Sequence, residues 1–400
     1  MIIAGTFSKV HEGIAKPQKT AVPLMNNVTK FLLFTTRFPL KALPVELTST
    51  TSQTSCTAAI TTSMDLQAYS YPALDKSRNE IRLLRISPSD PPGPSYRCDL
   101  ELFDLDKAPG FTALSYEWGG TTRDVPLHTS DGRIIMIGQN LHDFLRHGVN
   151  DSLNDARPWL WIDQISIDQS SIVEKNHQVN LMSRIYRECE YVIAWLGCDE
   201  AAVKAAQQFK DCPSVTALET ILENRYFSRL WIVQEFLLAR ELLFLCGRVW
   251  LQCDVIWKHC SEDLRSSRPE ATFLLLDRIV GKRTLADCIM PYCAKDCFDP
   301  RDRVYGLLGL VEDADTISPD YGKSTIETFK DAVRALKRAQ PLEYTRNIAA
   351  ATALFISMDI PFQSEHFDFK VSRWLHKYFS ENVESVDEDS PDKLMGTSLH

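Results

Sequence analysis

The stretch Leu160–Gln169, LWIDQISIDQ, joins a buried-strand pattern to two carboxylates and two carboxamides at the point where the strand should end. Strand alternation puts Trp159, Trp161 and Asp163 on one face, and Leu160 and Ile162 on the other. The carboxyl ends of strands in α/β sheets are where ligands are held. Asp163 is therefore placed to bind a ribose hydroxyl, to orient a base, or to cap its own loop together with Ser166 and Gln169.

Working outward, IRLLRI (Ile81–Ile86), CDLELFDL (Cys98–Leu105) and FTALSY (Phe111–Tyr116) read as strands. Asp131-Gly132 between VPLHT and RIIMI is a hairpin signal, and a short helix is expected over Gln139–Gly148. Downstream, Ser171 and Glu174 have capping-box spacing, and Val179, Met182, Ile185, Tyr186 and Cys189 recur at helical spacing. That helix leads into the strand YVIAWLG at Tyr191–Gly197. Strand, helix, strand in this order implies right-handed crossovers. The expected fold class is α/β: a largely parallel sheet flanked by helices, with an added hairpin and C-terminal helices. Further helices are expected over Glu200–Glu223, Phe227–Ala239 and most of Val255–Asp287, with a strand at Glu241–Cys246 and a helix near Ser324–Arg338.

Composition narrows the function classes. With 44% hydrophobic and 24% charged residues over 400 positions, the chain is globular in type. The net charge of −9 excludes a basic nucleic-acid footprint, so no nucleic-acid partner is expected. The longest apolar runs fall far short of the roughly 20 residues that span a bilayer, so no membrane partner is expected either. The 11 cysteines lack a CxxC pair, which argues against both a disulfide framework and zinc and for a reducing, cytoplasmic setting with buried free thiols. No metal or bound cofactor is expected.

Residues 1–63 carry six Lys/Arg against two Glu and no sustained period, which reads as a disordered extension, a targeting segment of mitochondrial type, or a gene model that starts too early, Met64 being the alternative start. The expected organisation continues with a main domain over 64–340, a helical extension over 341–380, and an acidic disordered tail over 381–400.

Two more segments carry chemistry. FTALSYEWGG ends a strand in Ser115-Tyr116 and turns through Trp118, Gly119 and Gly120, where paired glycines let backbone amides approach another group; tight packing of the Trp118 indole is the plainer reading. RYFSRLWIVQEF (Arg225–Phe236) is apolar almost all round apart from Gln234 and Glu235. Trp231 and Glu235 are four apart, so an aromatic plane beside a desolvated carboxylate can hold a flat cationic base and stabilise positive charge on a sugar ring. The alternative is a structural Glu235 satisfied by Arg184, Arg225 or Arg229. GxSxG, GxGxxG and P-loop motifs are absent, and the nine His form no triad pattern.

In order along the chain, IRLLRI, FTALSYEWGG, LWIDQISIDQ, HQVNLMSRIYRECEYVIAWLG, RLWIVQE, and DPRDRVYGLLGL followed by SPDYGKS resemble the fungal heterokaryon incompatibility (HET) domain family, over about Ile81–Ser324. The resemblance implies a domain that triggers programmed cell death when incompatible fungal cells fuse, through a partner protein encoded by another allele or locus, with self-association as a further mode. It also implies a remote similarity to TIR domains, whose enzymatic members cleave the nicotinamide bond of NAD, which would here be substrate rather than cofactor. In those members a helix carries Ser, Trp and a catalytic Glu, and Ser228, Trp231 and Glu235 look like that set. On this reading Glu235 is the catalytic candidate, and Trp231, Asp163, Tyr116, Trp118 and Ser228 are substrate-binding candidates. Two positions depart from the family pattern: Ser166 where Cys is usual and Asp168 where Asn is usual. The readings in competition are an NAD glycohydrolase, a non-enzymatic signalling adaptor with Glu235 in its core, and a silent family member.

Overall fold

The computed structural model describes residues 67–380 apart from 89–95, 121, 149–158, 261–263, 265–266, 268, 279–282, 312–316, 340–342 and 361–366. The expectations for residues 1–63 and for the acidic tail lie outside the described residues.

The strands are β1 (Glu80–Pro88), β2 (Tyr96–Asp104), β3 (Thr112–Tyr116), β4 (Val125–Thr129), β5 (Ile134–Ile137), β6 (Leu160–Trp161), β7 (Tyr191–Trp195), β8 (Leu242–Cys246) and β9 (Val249–Gln252). Among the described residues they form one sheet in the order β5-β4-β2-β1-β6-β3-β7-β8-β9. The centre, β6-β3-β7-β8, is parallel; β1 and β9 join it antiparallel, and beyond β1 the β1–β2 and β4–β5 pairs are antiparallel while β2–β4 is parallel. Numbered by chain order, the four parallel strands run 2-1-3-4, the start of the flavodoxin-like doubly wound order, with its switch point between β3 and β7. The α/β expectation therefore holds, in a mixed sheet whose longest parallel run is central and which also pairs β2 with β4 in parallel toward one edge.

Helices cover both faces. The helix α1 (Gln139–Gly148) lies on one face, where Leu141, Phe144 and Leu145 pack against Leu114, Leu160, Ile162 and Ile193. After the short turn of helix α2 (Asp163–Ser166), α3 (Ile172–Glu188) packs Met182, Ile185 and Tyr186 on the other face, against Ala113, Trp161 and Val192. The alternation read in Trp159–Asp163 is the one found: Trp161 faces one core, Leu160 and Ile162 the other. Ser171 caps α3 by accepting the Glu174 N–H at 3.2 Å, yet the Glu174 side chain turns away to the buried Arg82 instead of closing a capping box.

Three expected helices are broken for identifiable reasons. Glu200–Glu223 divides into α4 (Glu200–Asp211) and α5 (Val215–Leu222), because Cys212 before Pro213 is extended and Ser214 caps the next helix. Phe227–Ala239 is a 3-10 turn, Arg225–Ser228, followed by α6 (Ile232–Leu238). Arg229 is extended there because the chain pairs with Asp296: Leu230 N–H donates to the Asp296 carbonyl at 2.9 Å, and Asp296 N–H to the Ser228 carbonyl at 2.8 Å. Between 253 and 292 the chain forms α7 (Cys253–Lys258), α8 (Pro269–Asp277) and α9 (Leu285–Tyr292), the last under a Thr284/Asp287 capping box. Sequence reading missed β9, which follows β8 through Gly247 at φ +55°. The helices α10 (Asp302–Leu308), α11 (Thr325–Ala339), α12 (Tyr344–Ser357) and α13 (Phe367–Ser380) complete the described fold.

Candidate functional site

The carboxyl end of β3 delivers neighbouring residues to opposite faces. Ser115 points with Ala113 toward α6, and Tyr116 points with Leu114 toward α1. The Ser115 hydroxyl donates to Glu235 Oε2. The Tyr226 hydroxyl lies 2.8 Å from Ser115 Oγ, and with the Ser115 proton committed to Glu235, Tyr226 is left to donate. The Tyr186 hydroxyl, which reaches the Leu114 carbonyl at 3.2 Å, also lies against Glu235. Glu235 is 2% exposed. Burial pushes its carboxyl up to about 7; the nearby Arg229 and the bond from Ser115 oppose the rise, and Asp163 adds to it. A carboxyl poised there can take or give a proton near neutral pH.

Asp163 opens α2 directly after β6. Its Oδ2 accepts Trp118 Nε1–H at 2.8 Å, and its Oδ1 accepts the Gln164 N–H at 2.7 Å. Gln169 donates its side-chain amide to the Asp163 backbone carbonyl at 2.9 Å, whereas the carboxylate takes Trp118 and Gln164 rather than the Ser166 and Gln169 amides expected of a loop cap. Burial raises the Asp163 carboxyl, with Arg229 and the Trp118 bond opposing. The Arg123 guanidinium sits 4.7 Å from the Trp118 ring centre. Arg229 donates to the Tyr116 carbonyl, while the buried Tyr116 hydroxyl has no hydrogen-bond partner. Burial drives that hydroxyl well above the usual tyrosine range, and the charges of Asp163, Arg229, Arg123 and Glu235 all reach it.

Glu235, Asp163, Tyr116 and Trp118 thus form one electrostatic group at the ends of β3 and β6, and the Arg229 charge favours the ionised form of both carboxyls. Ser228 and Trp231 are directed elsewhere. Ser228 Oγ donates to Asp296 at 2.8 Å, and Trp231 Nε1–H donates to Asp302 on α10 at 3.0 Å. The Tyr321 hydroxyl donates to the other Asp302 oxygen at 2.5 Å, and Lys175 lies 3.8 Å from the Tyr321 ring centre. Burial pushes the Asp302 carboxyl up to about 6. The DPRDRVYGLLGL segment therefore clasps the start of the helix that carries Glu235. Ser166 is buried, and its Oγ accepts the Ile162 N–H at 3.2 Å as a turn-closing bond.

Of the three arginines weighed as structural partners of Glu235, Arg184 pairs with Asp106 and Glu188, Arg225 pairs with Glu117, and Arg229 bonds the Tyr116 carbonyl. The polar residues that the sequence reading did not single out are Ser115, Tyr226, Arg123 and Asp302. The one available signal was Ser115, a hydroxyl in the otherwise apolar run TALSY. Among the described residues no His/Cys/Asp/Glu group is arranged to hold a metal ion, and no helix is long and apolar enough to cross a membrane. A cleft of about 470 Å³ between β8, β9 and α4, lined in part by Phe209, Leu243 and Trp250, shares no residue with the Glu235 group.

Residues 111–235 match the family described as "Heterokaryon incompatibility protein (HET)", a span that opens one residue before β3 and closes on Glu235. The chain is also 27% identical, over 371 residues, to "Heterokaryon incompatibility protein 6, OR allele" of Neurospora crassa, covering 68% of this chain and 54% of the relative. It thus spans about half the length of the curated relative it matches. No solved structure matches. The matched span holds the whole Glu235–Ser115–Asp163 group, and it is over that span that the chain is similar to the heterokaryon incompatibility (HET) family.

Proposed function

We propose that this protein is a cytoplasmic effector of heterokaryon incompatibility that causes cell death when it meets a partner protein of another allele or locus, and that it does so by hydrolysing the nicotinamide bond of NAD in a TIR-like manner. The observation that carries the reading is Glu235, a desolvated carboxyl beside the switch point of a doubly wound sheet, held by the hydroxyl of Ser115 with that of Tyr186 alongside. The name of the Neurospora crassa relative supports the incompatibility role. The free cysteines support the setting.

In the reaction the ribose C–N bond breaks, nicotinamide leaves as a neutral base with the bonding electrons, and ionised Glu235 faces the positive charge that spreads over the ribose ring. Water then bonds to the anomeric carbon, and its proton passes to the Glu235 carboxylate. Asp163 and the unpartnered Tyr116 hydroxyl position the ribose, and the Trp118 indole is the aromatic wall. Trp231 acts through Asp302, fixing the helix that bears Glu235.

A second reading has its own support: at 2% exposure, with hydroxyls already on it, Glu235 fits a non-enzymatic adaptor in which it is a core residue. Expression in cells separates the two. Wild type is expected to deplete NAD and stop growth, and Glu235→Ala at equal abundance to do neither. Death from both proteins with NAD intact would favour the adaptor.

A further inference from the structure

The turn that follows β3 is built on two consecutive glycines. Gly119 and Gly120 adopt φ +72° and +104°, a left-handed path that only glycine takes freely. Both are exposed, and a Cβ on Gly120 would meet nothing within 4 Å, so there is room beside the turn at Gly120 for another group to approach the backbone. Successive peptides in such conformations point N–H groups into a shared concavity suited to anions. The turn leaves the carboxyl end of β3, one of the two strands that bound the switch point, where this topology opens a crevice.

Side chains around the turn supply the charge. Arg123 is half-buried over the Trp118 ring, and among the described residues no carboxylate forms an ion pair with it. Its field reaches both the Tyr116 hydroxyl and Asp163, which puts it near the polar group at the ends of β3 and β6. Deeper in, the Tyr116 hydroxyl is fully shielded yet without a partner, an unusual state for a buried polar group. Arg229 stands beside it, bonded to the Tyr116 carbonyl. The Asp163 carboxylate of the same group is engaged by Trp118 and Gln164. The site thus joins a planar cation with donors left over, an exposed glycine turn with room for a ligand and an unpartnered hydroxyl.

We infer that the Gly119–Gly120 turn and Arg123 bind the diphosphate of a nucleotide, with the nucleoside toward Trp118 and Asp163. A guanidinium takes two phosphate oxygens in a fixed fork, and a diphosphate offers oxygens to both it and the turn. The inference deepens the proposed function by naming an anion subsite of the same crevice, but its test does not depend on NAD cleavage.

Calorimetric titration of the full chain with ADP, adenosine and inorganic pyrophosphate tests it. ADP is expected to bind at least tenfold more tightly than either fragment, and R123Q to lose at least tenfold for ADP with adenosine unchanged. Gly120→Ala is expected to weaken ADP as well, because it strains the turn without filling it. Absence of ADP binding, equal affinity for adenosine and ADP, or an unchanged ADP affinity in R123Q would overturn the inference. Pyrophosphate binding as tightly as ADP would overturn the nucleotide assignment. ADP binding that depends on Arg123 in a protein that leaves NAD intact would uphold the subsite and remove the glycohydrolase reading. NAD cleavage with an unchanged KM in R123Q would do the reverse.

Discussion

Ser115 on β3 donates its hydroxyl proton to Glu235 on α6, across 120 residues of sequence, and so ties the end of a central strand to the one carboxyl the chain buries in that helix. The bond lies beneath the sheet, beside Tyr226 and Tyr186, where water is excluded and each lost partner leaves an unsatisfied group.

Replacing Ser115 by Ala should therefore lower stability by about 1–3 kcal/mol, since it unpairs both Glu235 and the Tyr226 hydroxyl. The carboxyl should also titrate higher than its present value of about 7, because the bond from Ser115 favours the ionised form. Chemical denaturation and the pH profile of NAD consumption check the two parts separately. A profile that does not move would mean that Ser115 is only a packing residue.

The pH dependence of folding carries a signature of Glu235. Its folded value of about 7 lies above its ordinary 4.5, so between these values the folded chain binds more protons than the unfolded one. The contribution is complete below pH 4.5 and is lost as pH rises through 7. Glu235→Gln removes that loss, so the variant should gain stability relative to wild type between pH 5 and pH 8, on the order of 2–3 kcal/mol. Denaturant midpoints at the two pH values measure it, and a difference that is the same at both would contradict the burial argument.

How much of this was legible in the sequence varied with the kind of contact. The segments IRLLRI, FTALSY, WLWID, YVIAWLG and ELLFLC announced their strands because buried parallel strands leave apolar runs bounded by turns, and Gln139–Gly148 was found at its observed limits. The break before α6 was invisible, because it depends on a backbone pairing of Arg229 with Asp296 that no local pattern records. The site divided the same way. Glu235 stood out as a carboxyl in an apolar helix, whereas its partner Ser115 and the Trp231–Asp302 bond come from chain segments that only the fold brings together. Four-residue spacing suggested that Trp231 and Glu235 share a face, but Trp231 is the residue before α6, and its indole N–H turns to α10.

Asp302 should be a positioning residue for the helix that bears Glu235. Asp302→Ala unpairs the Trp231 N–H and the Tyr321 hydroxyl and should cost about 2–4 kcal/mol, whereas Tyr321→Phe, which loses one bond, should cost about 1 kcal/mol. In Asp302→Asn, which keeps an acceptor for Trp231, kcat should fall less than in the alanine variant. Equal losses in all three would argue against the clasp.

Arg82 and Glu174 form an ion pair at the foot of the sheet, with the Arg82 side chain 1% exposed and that of Glu174 10% exposed. Arg82→Ala strands the carboxylate and should destabilise the fold by about 3–5 kcal/mol, while the double change Arg82→Met, Glu174→Leu should recover most of that loss. Thermal unfolding of the single and double variants decides it; a double variant no better than the single would show that the further Arg82 bonds, to the Ser166 and Pro72 carbonyls, dominate.

The most direct test of the central claim is the fate of NAD incubated with the purified full chain, wild type beside Glu235→Gln, with nicotinamide release followed over time. Release by wild type and its loss by at least a hundredfold in the variant, which keeps the fold and an acceptor for Ser115, is the predicted result. No release by wild type in the presence of an incompatible partner extract, or equal release by both proteins, would contradict it.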